Sequence, residues 1–169
     1  MKYDATVAGY ICIDIAPGFV SSAGGKQKVD VFRPGKLSQV HGLSISLGGV
    51  VPNTGLAMKR FGQRVSLMGL TGRDLLGDIV LRRLSEYGAF SGIRRTNRAG
   101  TAYGIVLAPP GIDRIFLEDP GVNGVFTSDD INYGMLSDSR LFHFGYPPLM
   151  ERMFADKGAE LEKMFRKTH

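Results

Sequence analysis

The period of the apolar pattern changes repeatedly along the chain, and each change marks an element. Residues 5–15 (ATVAGYICIDI) are almost continuously apolar and carry one acid, Asp14, near their end. Such a run reads as one strand buried on both faces, as in a parallel sheet flanked by helices. Residues 21–35 are polar and glycine-rich, with a short strand-like piece at 29–32, and residues 37–47 read as a longer strand whose last part, SISL, alternates strictly. Gly48-Gly49 breaks that strand, and Pro52 suits the first turn of a helix that runs to Gly62. A buried strand is predicted at 65–69, then a turn in which Asp74 caps a helix over 75–87. Leu76, Ile79, Val80, Leu84 and Tyr87 form that helix's apolar stripe, and Gly88 ends it. Three short strands follow at about 93–96, 102–107 and 114–117, the last two joined as a hairpin through Pro109-Pro110-Gly111. A turn at 120–124, a short helix at 128–133, a buried strand at 139–146 and an amphipathic helix at 149–166 complete the pattern. Strands alternating with helices predict an α/β fold with a mostly parallel sheet. The polar strands around residues 29–47 predict a hairpin standing off that sheet.

Length and charge narrow the reading only a little. The chain has 169 residues, enough for one ordinary domain, and a net charge of +5. Its basic residues sit in separated pairs (Lys59-Arg60, Arg82-Arg83, Arg94-Arg95, Arg166-Lys167) without interleaved aromatics, so nucleic acid is not an expected partner. Cys12 is the single cysteine, which excludes an internal disulfide, and its apolar neighbours predict a buried, unreactive thiol. No apolar run approaches ~20 residues, and Met1-Lys2-Tyr3-Asp4 lacks the apolar continuation of a signal peptide. A soluble, cytoplasmic protein that does not engage a membrane is expected.

Chemistry-bearing residues are few. A carboxylate ending a parallel strand lies where open α/β sheets bind ligands, although from local sequence alone Asp14 reads as a cap for the turn at Pro17-Gly18. His143 sits among Leu141, Phe142 and Phe144 and reads as a core residue, with no partner spacing for a metal. Asp129 and Asp130 fit the positive end of a helix dipole better than a metal site. No Walker-type loop, kinase-type glycine loop or dinucleotide fingerprint is present, which disfavours an oxidoreductase of the dinucleotide-binding class.

In order and spacing, Gly48-Gly49, Asn53, Gly62, Gly69, Gly72, Asp74 and Gly77 resemble the first signature of the ribokinase-like (PfkB) carbohydrate kinases. Val51 departs from that signature, which often has a small residue two places before the Asn. The resemblance implies a partial doubly wound sheet with flanking helices and a small β lid, with lid strands within about 16–47 and 92–118. It implies that Asp14 grips sugar hydroxyls and that Asp14, Gly48, Gly49 and Asn53 bind the substrate, with Tyr103 a further candidate in the second lid segment. The residue types suit the task. A carboxylate accepts strongly from two hydroxyls, an amide donates and accepts, and glycine lets a sugar approach the backbone. The phrase from Pro120 to Gly124 is similar to the family's glycine-any-Asn turn.

The family's anion cradle and catalytic Asp lie in a Gly-Ala-Gly-Asp motif in the second half of a chain about twice this length, and residues 1–169 contain no such motif. The resemblance therefore implies the N-terminal part of a sugar or nucleoside kinase. ATP and Mg2+ are expected in the full-length protein, with no catalytic, cofactor-binding or metal residue in this chain. A homodimer through the lid strands is expected by the same resemblance. The alternative is a non-catalytic sugar-binding or dimerisation module.

Overall fold

The structure, a computed structural model, describes residues 1–19, 34–88, 91–111 and 113–168. The strand-like piece expected at 29–32 lies outside the described residues. The elements are β1 (Ala5–Gly9), β2 (Cys12–Pro17), β3 (Leu43–Gly48), a wide π-type turn (Val51–Leu56) running into α1 (Ala57–Arg60), β4 (Val65–Gly72), α2 (Leu75–Ser85), β5 (Gly92–Thr96), β6 (Tyr103–Leu107), β7 (Ile115–Asp119), α3 (Tyr133–Ser137), β8 (Phe142–Gly145) and α4 (Glu151–Arg166). Short 3₁₀ turns at Gly121–Asn123, Ser128–Asp130 and Pro147–Leu149 join the later elements.

Two four-stranded sheets result. The main sheet has the order β5-β4-β1-β8 with every pair parallel. Its alternate residues feed two cores. Val7, Val65 and Leu67 pack with Val51, Leu56, Val80 and Leu84 from the helices on one face. Ala8, Met68 and Leu70 pack with Phe126, Leu136, Met153 and Met164 on the other. The second sheet has the order β3-β2-β6-β7 and is the lid, with β2 and β6 parallel and the outer pairs antiparallel.

The predicted single strand over 5–15 is two strands in different sheets. Gly9 has φ +122, and a Cβ there would stand 2.6 Å from the Gly145 carbonyl oxygen, so only glycine lets β1 end against β8 and the chain swing away. The apolar run continues because Tyr10, Ile11, Cys12 and Ile13 are buried while passing from one sheet to the other. Asp14 thus lies on a lid strand and not at the tip of a main-sheet strand.

Other boundaries moved for related reasons. The strand expected over 37–47 begins only at Leu43. β5, expected within the lid segment, pairs parallel to β4 in the main sheet. The run around His143 is an edge strand with one open side, so His143 is exposed and not a core residue. The short helix at 128–133 is a 3₁₀ turn followed by α3, with Asn132 accepting from the Met135 amide. The last helix is interrupted between Ala155 and Gly158, where Asp156, Lys157 and Gly158 adopt left-handed φ values of 50°, 57° and 82°.

Candidate functional site

Asp14 stands mid-strand in β2, directly opposite Ser46 of β3 and beside Gly104 of β6. Partners in register share a face, so Ser46, Asp14 and Gly104 lie in one row across the lid. Both glycines near the carboxylate make room for it. A Cβ on Gly48 would sit 2.4 Å from Asp14 Oδ2, and one on Gly104 would sit 3.4 Å from Oδ1. The Cys12 thiol, two residues back on the same face, donates to Asp14 Oδ1 at 3.6 Å. Among the described residues Oδ2 has no hydrogen-bond partner and is free to accept.

The electrostatics of this pocket oppose ionisation. Burial pushes the Asp14 carboxyl above its ordinary value, the Cys12 thiol pulls it back, and the negative charge of Glu118 raises it again. Burial first, then the Asp14 charge, pushes the Cys12 thiol far up, so it remains a protonated donor. The thiol is buried as expected, and it donates to Asp14.

The twin-glycine turn is held from below. Gly49 has φ +90, and its Cα side faces the Tyr10 carbonyl so closely that a Cβ would lie 2.4 Å from that oxygen. The Val51 amide donates to the same carbonyl at 3.2 Å, and the Asn53 amide donates to Gly49 O at 3.1 Å. Pro52 occupies the first turn, where its missing N–H costs nothing. Asn123, fully buried, clamps the crossover between sheets: its amide nitrogen donates to Ile11 O at 2.9 Å and its oxygen accepts from the Ile11 amide at 3.4 Å. The Gly-any-Asn phrase therefore acts as a brace for the crossing backbone.

Three further signature residues, Gly72, Asp74 and Gly77, form a structural knot with Thr101. Asp74 caps α2 by accepting from the Gly77 amide at 2.8 Å, and it also accepts from the Thr101 amide and hydroxyl, both at 2.7 Å. Thr101 in turn accepts from the Gly72 amide at 2.8 Å. That knot ties the end of β4 to the start of the second lid segment.

The structure sets Gly48 against the Asp14 carboxylate and bonds the Asn53 amide to Gly49 O, but it turns Tyr103 away. Asn53 is exposed on the π-type turn and lines a groove of about 500 Å³ with Ser46, Leu47, Arg60, Arg83 and Tyr87, whose walls do not include Asp14. Tyr103 is paired with Ile13, one residue out of phase with Asp14. Its side chain lies on the opposite face of the lid and packs against the core of Ile13, Val80 and Leu84. Tyr103 is thus a packing residue in this structure, because strand alternation turns it away from the carboxylate. Sequence reasoning missed Gly104, Glu118 and Tyr10. Only the pairing of β2, β6 and β7 puts Gly104 and Glu118 in the row of Asp14, and Tyr10 enters by donating to Glu118.

The chain resembles known sugar kinases. It is 22% identical to fructokinase with bound ATP from Xylella fastidiosa, with a TM-score of 0.72, covering 99% of this chain and 46% of that one. The chain has the ribokinase-like fold. Ribokinase from Giardia lamblia superposes with a TM-score of 0.78 at 15% identity, over 98% of this chain and 50% of that chain. In sequence, fructokinase from Solanum tuberosum is 26% identical over 112 residues, 64% of this chain and 35% of the relative. No protein-family model matches the chain. The ribokinase-like chain thus spans about half the length of the solved structures, and its sequence match about a third of the curated relative. The resemblance expected from the glycine signature holds at the level of fold. Among the described residues no helix is long and apolar enough to cross a membrane.

Proposed function

We propose that the chain is the substrate-binding part of an ATP-dependent sugar or nucleoside kinase, which in its whole form transfers the γ-phosphoryl group to a sugar hydroxyl. The observation that carries this reading is the Asp14 carboxylate, half-buried over the side-chain-free Gly48 and Gly104, with Oδ2 open to accept. A carboxylate kept short of donors in a lid sheet is suited to accept from hydroxyl groups of a polyol, and such charged hydrogen bonds are the stronger kind. Gly49 and Asn53, joined by the Asn53 amide donating to Gly49 O, are proposed to approach the same polyol from the twin-glycine turn.

ATP use is proposed for the whole protein from the fructokinase solved with bound ATP. The residues of this chain do not fit a triphosphate. The twin-glycine turn is the obvious cradle, but the Asp14 carboxylate lies against Gly48 and would repel it. Among the described residues no three His, Cys, Asp or Glu side chains stand close enough to hold a metal ion together. Mg2+ and the phosphoryl-transfer machinery are proposed for the whole protein, and the 169-residue chain by itself is proposed to be inactive. A kinase assay with ATP, Mg2+ and a panel of sugars tests that proposal: the expected result is no turnover, and robust turnover defeats it. Calorimetric titration with sugars, comparing the wild type with Asp14→Ala, tests the binding part.

The part of the lid's apolar face that extends beyond the core supports the dimerisation reading alongside. Leu43, Ile45 and Leu117 lie on the face opposite Asp14 and are 61%, 37% and 49% exposed. A homodimer burying that face is proposed, and sedimentation equilibrium giving only monomer at working concentration counts against it.

A further inference from the structure

The polar row across the lid does not stop at Gly104. Gly104 is paired with Glu118 of β7, so the sequence of side chains across the four strands is Ser46, Asp14, none, Glu118. Two carboxylates thus flank a gap where one strand contributes no side chain. The two carboxylates' own strands are about 10 Å apart, and the Asp14 carboxylate leans over the bare Gly104 backbone between them, its Oδ1 3.4 Å from where a Cβ would stand. The buried Tyr10 hydroxyl donates to Glu118 Oε1, which restrains that otherwise exposed side chain. Oε2 has no hydrogen-bond partner among the described residues. The two carboxylates sense one another, since the charge of Glu118 contributes to raising the Asp14 carboxyl after burial.

We infer that Glu118 is a second substrate-facing carboxylate, and that with Asp14 it makes this site select an unphosphorylated polyol over a phosphosugar. The inference rests on the proposed substrate site and adds the class of substrate. Two open carboxylate oxygens accept from hydroxyl donors on both sides of the Gly104 gap. A phosphate placed there meets two negative charges and offers them no proton. Like-charge repulsion from the half-buried Asp14 and the exposed but tyrosine-held Glu118 lowers the affinity of the phosphorylated ligand on the order of tenfold. Rejection of the wrong ligand by an unpaired charge is as much a part of selectivity as attraction of the right one.

The test is a nuclear magnetic resonance titration of the 169-residue chain, following the Gly48, Gly49 and Gly104 amides, with D-fructose and fructose 6-phosphate as probes. Wild type is expected to bind fructose about tenfold more tightly than fructose 6-phosphate. Glu118→Gln keeps an acceptor for Tyr10 but removes the charge, and is expected to shrink that ratio to below about threefold while weakening fructose. If Asp14→Asn abolishes the fructose shifts but Glu118→Gln leaves the ratio unchanged, the substrate site stands and the role of Glu118 is refuted. Preference of the wild type for fructose 6-phosphate refutes the selectivity with the site intact. Absence of shifts with either probe in the wild type removes the site itself, and the inference with it.

Discussion

Replacing Asp74 by alanine should unfold the junction between the two sheets more than any other single surface-proximal change. Its carboxylate accepts three hydrogen bonds of 2.7–2.8 Å, from the Gly77 amide and from the Thr101 amide and hydroxyl. Loss of the helix cap costs about 1 kcal/mol. Thr101 is only 3% exposed, so its amide is left without water or partner, a further cost of about 1–3 kcal/mol. The sum is about 3 kcal/mol. With a urea dependence of about 2 kcal/mol per molar, the unfolding midpoint should fall by about 1.5 M at pH 7. The pH dependence carries its own sign. Burial favours the neutral carboxyl, but the Thr101 and Gly77 hydrogen bonds and the Arg95 charge outweigh it and hold Asp74 below the ordinary carboxylate range. A group whose folded pKa is depressed contributes stability above its unfolded pKa and loses it as pH falls through the folded one. The gap between wild type and Asp74→Ala should therefore be full above about pH 4 and narrow below it. Urea titrations followed by circular dichroism at pH 7 and pH 3 measure both effects. A midpoint change under about 0.3 M at pH 7, or a gap that widens in acid, would refute the reasoning.

Further outcomes follow from the same geometry. Asp14→Asn should raise the urea midpoint at pH 7 by under about 1 kcal/mol equivalent. The Asp14 carboxyl is raised by burial and by Glu118, so its ionised form burdens the fold as pH rises through its folded pKa, and the gain should vanish in acid, where both states are protonated. The two glycines of the turn should part company. Gly49→Ala, at φ +90 and 2.4 Å from the Tyr10 carbonyl, should cost at least about 2 kcal/mol of stability. Gly48→Ala meets only the end of the Asp14 side chain, and should spare stability while abolishing sugar-induced amide shifts. Asn123→Ala strands both backbone groups of Ile11 and should cost about 2–3 kcal/mol, with faster hydrogen exchange at the Ile11 amide than at Val7.

Sequence alone determined the elements whose causes are local. The Gly48-Gly49 break, the Asp74 cap, the Gly62 and Gly88 stops, at φ +80 and +60, and the hairpin of β6 and β7 each depend on residues within a few positions of one another. The glycine signature also pointed to the fold, through its resemblance to the ribokinase-like kinases. Tertiary structure alone decided which face and which sheet each residue joined. A continuous apolar run reads the same whether it stays in one sheet or crosses to another, so the division at Gly9 was hidden until β8 packed against β1. Alternation fixes that Tyr103 and Gly104 point opposite ways, but only their pairing with Ile13 and Asp14 decides which one meets the carboxylate. Glu118 reached the site through a register spanning 104 positions of sequence from Asp14 (118 minus 14), and no local pattern encodes a pairing at that range. Register is a property of strands brought together, set by the burial of one face and the turns that join them.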